Sequence, residues 1–124
     1  MPIEKHLKRI QIADLFLDTS PYNAHTTSSD ALRVGLPVIT CIGNSFASRV
    51  AASLLNSVNL SELITSNRDE YESMAIELAT DKNKYHEITQ KLAKNISHTP
   101  LFNSLIFTKN IEAVFQKIYQ NLEK

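Results

Sequence analysis

Residues 23–30, with the sequence NAHTTSSD, form the stretch around which the rest of the chain is organised. They lie between a short apolar run that ends at Asp18 and a helical pattern that ends at Gly35. A strand, a polar turn of small residues and a helix start, in that order, offer backbone N–H groups to an anion. We therefore expect residues 23–30 to form an anion-binding turn at the start of a helix.

The segments around this turn predict a parallel α/β unit. Residues 13–18 and 37–42 are short apolar runs that are typical of buried strands, and each is followed by a helical pattern that reaches Gly35 or Asn56. Residues 63–64 predict a third extended piece, and residues 6–12 a short helix. Because strands and helices alternate, we predict an α/β fold: a partial Rossmann-like, three-layer unit with two or three short parallel strands.

Beyond the strands the sequence predicts a helical C-terminal region. Ser66 or Asn67 is a candidate N-cap for one helix and Asp81 for the next, and Thr99 and Pro100 mark a break before a last helix. Apolar stripes at helical spacing follow these three points: Tyr71, Met74, Ala75 and Leu78; Tyr85, Ile88, Leu92 and Ile96; and Ile111, Val114, Phe115, Ile118 and Leu122. We predict one domain, with residues 1–65 as the Rossmann-like half and residues 66–124 as a helical extension packed on the same core.

Composition narrows the classes of function. Thirteen basic and thirteen acidic residues cancel, so no overall field draws the 124-residue chain to nucleic acid or to a membrane. The single Cys41 excludes an intrachain disulfide and suits a reducing compartment, which predicts a cytoplasmic protein. No apolar run approaches the roughly 20 residues that span a bilayer. The histidines do not show the spacing of zinc ligands, so we expect no metal.

The turn itself supports two interpretations. Thr26, Thr27 and Ser28 are small, so a phosphate can approach the backbone, and Asp30 could accept hydrogen bonds from ribose hydroxyls. However, Thr27 and Asp30 also have the spacing of a capping box, which needs no ligand. His25 adjoins the turn, and His6 precedes the first strand by one helix. Arginines at residues 9 and 49 are further candidates for phosphate contacts.

Several motifs, taken in order, resemble the O-linked N-acetylglucosamine transferase/SPINDLY family. The resemblance covers most of the chain, and it is weaker at residues 62–64, 71 and 100–103. The motifs that carry it are ADLFLDT at 13–19, PYNAHTT at 21–27, SDAL at 29–32, GLPVIT at 35–40 and GNSFASRVAASLL at 43–55.

The resemblance implies a two-lobed glycosyltransferase of the GT-B type, preceded by tetratricopeptide repeats. This chain would be the latter half of the donor-binding lobe, and its donor would be a UDP-sugar, UDP-N-acetylglucosamine or a related nucleotide sugar, with GDP-fucose as an alternative. The acceptor would be a Ser or Thr hydroxyl of a protein, and this segment would need no metal or other cofactor. Carried over by position, His25, Thr26 and Thr27 would line the diphosphate, Asp30 would hold the ribose, and His6 and Arg9 would contact the uracil.

Two departures from the family limit these expectations. Ile3 stands where family members can place a basic residue near the base. The family's diphosphate-contacting lysine, the neighbouring glutamine and the acceptor-side lobe lie upstream of this chain, so we predict no transferase activity from the chain alone. The alternatives are a stand-alone nucleotide-binding or protein-interaction module, and a fragment that forms a homodimer through its first strand.

Overall fold

The computed structural model describes residues 2–122, so residues 1, 123 and 124, the outer ends of the two predicted parts, lie outside the described residues. Single 3₁₀ turns occupy Phe46–Ser48, Ser61–Leu63 and Pro100–Phe102. The other elements are α1 (Ile3–Ile10), β1 (Phe16–Leu17), α2 (Thr26–Arg33), β2 (Val38–Cys41), α3 (Val50–Ser57), β3 (Ile64–Thr65), α4 (Arg68–Thr80), α5 (Lys82–Ile96) and α6 (Ser104–Leu122).

The three strands form one parallel sheet in the order β1-β2-β3. Phe16 is in register with Val38, and Thr40 with Ile64. Consecutive residues of a strand point to opposite faces, and the side chains of residues 38–40 are all buried, so helices cover both faces of β2. The predicted α/β fold with short parallel strands and a helical C-terminal region is therefore confirmed.

The boundaries of three predicted elements differ from the expectation. The helix expected over residues 6–12 is α1 at Ile3–Ile10. The strand expected over residues 13–18 is ordered as β1 at Phe16–Leu17 only. The helix expected from Ser45 begins as a 3₁₀ turn, and α3 starts at Val50. Ser45 and Ser48 cap this turn reciprocally, since each side chain binds the backbone N–H of the other. This local pairing fixes the tight turn before the α-helix can begin.

The core lies between the sheet and its helices. Helices α4 and α5 contribute to it through Leu78, Ile88 and Leu92. Both N-caps predicted for these helices are confirmed: the Asn67 side chain accepts from the Glu70 N–H at 2.9 Å, and Asp81 accepts from Asn83 and Lys84. The other fully or nearly buried apolar residues of the core are Ala31, Leu32, Leu36, Val38, Ile39, Leu55, Val58, Leu60 and Leu63.

Helix α6 differs from α4 and α5 because none of its described residues is buried. Its apolar stripe faces solvent, and Phe115, Ile118 and Leu122 are 62%, 51% and 79% exposed. The helix contacts the 3₁₀ turn at Pro100–Phe102 that precedes it. The predicted division of the chain after residue 65 stays a prediction.

Candidate functional site

A buried carboxylate at the end of β1 fixes the turn that leads to α2. Asp18 is 6% exposed; its Oδ1 accepts from the Ala24 N–H at 2.7 Å, and its Oδ2 accepts from the Thr40 hydroxyl at 2.6 Å. The side chain thus joins the first strand, the second strand and the turn. Sequence reasoning missed this role, although an Asp that ends one apolar run and a Thr inside another were visible signals.

The same turn also packs against the loop that follows β2. The N–H of Asn23 donates to the carbonyl of Ala47 at 2.9 Å, and its side-chain amide donates to the carbonyl of Thr19 at 2.9 Å. In a parallel sheet, loops after the carboxyl ends of the strands form the ligand crevice. Residues 23–30 therefore lie at the edge of the sheet where a ligand of this fold class binds.

Helix α2 begins without a side-chain cap. Its first residue is Thr26, the N-cap is His25, and no side chain of that N-cap closes the turn. The Ser29 N–H donates to the His25 carbonyl at 3.1 Å, so the N–H groups of residues 26–28 precede the intrahelical bonds. The capping-box interpretation of Thr27 and Asp30 is wrong, because the helix starts before Thr27 and the carboxylate of Asp30 turns towards α1.

The partner of Asp30 is His6 of α1. The His6 Nε2 lies 3.2 Å from Asp30 Oδ2, and the side chains are 25% and 15% exposed. An Arg9 Nη2 lies 3.2 Å from the other ring nitrogen, His6 Nδ1. Three of the six predicted site residues are thus joined in one row across the two helices.

His25 lies within an aromatic group at the start of α2. Its ring stacks on Tyr22, with centroids 5.1 Å apart and planes at 15°, and it meets the edge of Phe46 at 6.3 Å. Tyr22 and Phe46 are 65% and 83% exposed. Among the described residues, the buried side-chain atoms without a hydrogen-bond partner are Asn23 Oδ1, His25 Nε2 and Ser28 Oγ, and all three belong to this turn.

The remaining candidate, Arg49, is directed to its own loop. Its Nη1 donates to the carbonyl of Gly43 at 3.2 Å, and its side chain borders a recess of about 740 Å³ along α3. A smaller recess of about 310 Å³ lies at the strand ends, between Asp18, Cys41 and the first turn of α4. There the Tyr71 hydroxyl donates to the Asp18 carbonyl at 2.8 Å. Burial, and then the negative charge of Asp18, raise the pKa of Tyr71 above 10.0.

Two findings concern metal and membrane. Within residues 2–122, no three His, Cys, Asp or Glu side chains are grouped so that they could hold a metal ion. In the same part of the chain, no helix combines the length and the apolar character that crossing a membrane requires.

The site has the features of an anion-binding turn in a parallel α/β protein, because an uncapped helix N-terminus lies at the carboxyl edge of the sheet. The family model described as Glycosyl transferase family 41 matches residues 1–111. The chain therefore belongs to glycosyltransferase family 41, and the resemblance inferred from the motifs is confirmed.

Individual relatives agree with this assignment. The chain is 35% identical over 115 residues to a probable UDP-N-acetylglucosamine–peptide N-acetylglucosaminyltransferase SPINDLY of Solanum lycopersicum, with 93% of this chain and 12% of the relative covered. It is 36% identical over 116 residues to the corresponding SEC protein of Arabidopsis thaliana, with the same coverage. A solved mutant O-GlcNAc transferase of Thermobaculum terrenum superposes with a TM-score of 0.88 at 30% identity, over 98% of this chain and 23% of that one.

The chain thus spans about an eighth of the length of these curated relatives. It corresponds to a segment of an O-GlcNAc transferase-like protein.

Proposed function

We propose that this chain is the segment of a family 41 glycosyltransferase that holds the nucleoside diphosphate of the donor, UDP-N-acetylglucosamine or a related UDP-sugar. The observation that carries the proposal is the uncapped N-terminus of α2. Its first residues, Thr26 and Thr27, are exposed and small, and they present N–H and hydroxyl donors at the carboxyl edge of the sheet. Helix α2 has eight residues, and its uncapped N-terminus favours a bound phosphate group.

Each of the six candidate residues has a role in this proposal. His25, Thr26 and Thr27 contact the diphosphate, Asp30 accepts hydrogen bonds from the ribose, and His6 and Arg9 border the uracil side. The α1–α2 row of Arg9, His6 and Asp30 supports a nucleoside along these two helices, because it brings the three residues together beside the open helix start.

In sugar transfer, the bond between the sugar and the diphosphate breaks and negative charge develops on the leaving UDP. Preorganised N–H groups aimed at such a charge lower the barrier, since they need no reorganisation during the reaction. The start of α2 supplies such donors without a metal ion. A transfer also needs a positioned acceptor hydroxyl. We propose that the rest of the enzyme supplies it to a Ser or Thr of a protein, and that the isolated chain has no transferase activity.

The test is a titration of the ¹⁵N-labelled chain with UDP and, separately, with GDP, followed through amide chemical shifts. We expect UDP to shift the amides of Thr26, Thr27, Asp30 and the α1 residues. GDP has the same ribose and diphosphate, so the α1 amides beside the proposed uracil position should discriminate, and GDP should leave them little changed. Thr27→Ala should weaken UDP binding, whereas Thr80→Ala, at the far end of α4, is the matched control. If neither nucleotide shifts residues 26–30 at millimolar concentration, the proposed donor site is wrong. Equal shifts with GDP would point instead to a guanosine-linked donor such as GDP-fucose.

A further inference from the structure

The hydrogen-bond directions within the Arg9–His6–Asp30 row are fixed by chemistry. A guanidinium group has donors and no acceptor, so Arg9 donates to His6 Nδ1, at 3.2 Å. His6 Nδ1 must then carry the lone pair, which places the ring proton of the neutral imidazole on Nε2. That proton points at Asp30 Oδ2, which lies 3.2 Å away. The row therefore runs in one direction, from Arg9 through His6 to the carboxylate.

This arrangement uses both ring nitrogens of His6 inside the protein. The contact also takes up one oxygen of Asp30 and leaves Oδ1 for another donor. The Asp30 side chain is 15% exposed, so it stays partly accessible to a ligand.

We propose that His6 is a positioning residue: it orients the Asp30 carboxylate, the group that the proposed donor site already assigns to the ribose hydroxyls. The inference rests on the proposed donor site. In this role His6 contributes to ribose recognition through Asp30, with no hydrogen bond of its own to the ligand. Arg9 fixes the required tautomer, and Asp30 carries the contact to the sugar hydroxyls.

The experiment compares the dissociation constant of UDP with that of 2′,3′-dideoxy-UDP, which keeps the base and the diphosphate. A hydrogen bond to a charged group contributes enough for wild type to prefer UDP by about tenfold or more. Asp30→Asn and His6→Leu should each reduce that preference to within about threefold. His6→Gln should retain most of it, because the Gln side chain can place an N–H near the position of Nε2. Lys8→Leu, an exposed change on the same helix, should leave the preference intact.

A second measurement reports on the tautomer of the His6 imidazole. In the wild-type chain, the ¹⁵N shifts of His6 should show a protonated Nε2 and an unprotonated Nδ1, and Asp30→Asn should weaken that tautomer preference. The opposite tautomer would overturn the proposal. So would a wild-type ligand preference in His6→Leu, or equal affinity of the wild type for UDP and its dideoxy analogue. In the last case the diphosphate site would stand, whereas a chain that binds neither compound would refute the donor site as well.

Discussion

Replacing Asp18 should test whether this buried carboxylate holds the turn in place. Asp18→Ala removes both acceptors and leaves the Ala24 N–H and the Thr40 hydroxyl without a partner. Hydrogen bonds to a charged group contribute about 1.5–3 kcal/mol each, so the two together correspond to about 3–6 kcal/mol. Domains of this kind have a total stability of about 5–15 kcal/mol. The loss would therefore be a large share of the free energy of unfolding.

Two further variants separate the hydrogen bonds from the charge. In Asp18→Asn the amide oxygen can still accept from Ala24, and the Thr40 hydroxyl can rotate to accept from the amide N–H. We expect that variant to lose about 1–2 kcal/mol. Thr40→Val removes one donor and keeps the shape, and it should lose about 1.5–3 kcal/mol.

Urea unfolding followed by far-UV circular dichroism measures these losses, and hydrogen exchange of the Ala24 amide reports on the turn itself. The Ala24 amide should exchange faster in Asp18→Ala than in Asp18→Asn. If Asp18→Ala does not fold, the Asn and Thr40→Val variants still rank the two contacts. An Asp18→Ala chain within about 1 kcal/mol of wild type, with Ala24 still protected, would refute the reasoning.

Three other predictions concern the scaffold. In Gly43→Ala the new Cβ would lie 2.7 Å from the Cβ of Ser48, which belongs to the capping box with Ser45. Urea unfolding should therefore show a loss of about 1–3 kcal/mol in the free energy of unfolding. An unchanged midpoint would contradict the close packing. The raised pKa of Tyr71 means that the folded state favours the neutral phenol, so its contribution is complete below pH 10.0 and is lost as pH rises through the folded pKa. Tyr71→Phe should therefore lose less stability than wild type between about pH 8 and about pH 11, and an equal loss would show that other groups dominate. Leu92→Ala should lose about 2–5 kcal/mol of stability, because it opens a cavity in the core. In the same assay, Phe115→Ala on α6 should change stability by less than about 0.5 kcal/mol, because Phe115 is exposed. Similar losses in the two variants would show that α6 packs on the core.

Local chemistry made much of the fold predictable. The caps at Asn67 and Asp81 are decided by side chains that bind N–H groups two or three residues away, so the sequence contains all the information. Gly35 has a φ of 84°, as expected for a residue that ends a helix in the left-handed region. The parallel sheet followed from apolar runs alternating with helical patterns. The order and spacing of the motifs over residues 13–55 are sufficient to indicate the family.

Contacts between distant residues were not predictable in the same way. The Asp18–Thr40 bond joins residues 22 apart, and the His6–Asp30 contact joins two helices separated by a strand. No periodicity encodes which of several partners a polar side chain will choose. The capping-box interpretation was wrong for this reason, because Asp30 contacts His6 on another helix and α2 begins before Thr27. The exposure of α6 was hidden as well, since an apolar stripe shows that a face is amphipathic and not what covers it.

The distribution of polar contacts explains how the turn can stay open for a ligand. Both oxygens of Asp18 accept hydrogen bonds from the scaffold, and one oxygen of Asp30 contacts His6, so neither residue caps the start of α2. The stability that an uncapped helix start forfeits is supplied elsewhere, by the core that Leu32 and Leu92 share. A turn with three unpartnered buried polar atoms can persist because the elements around it are well packed.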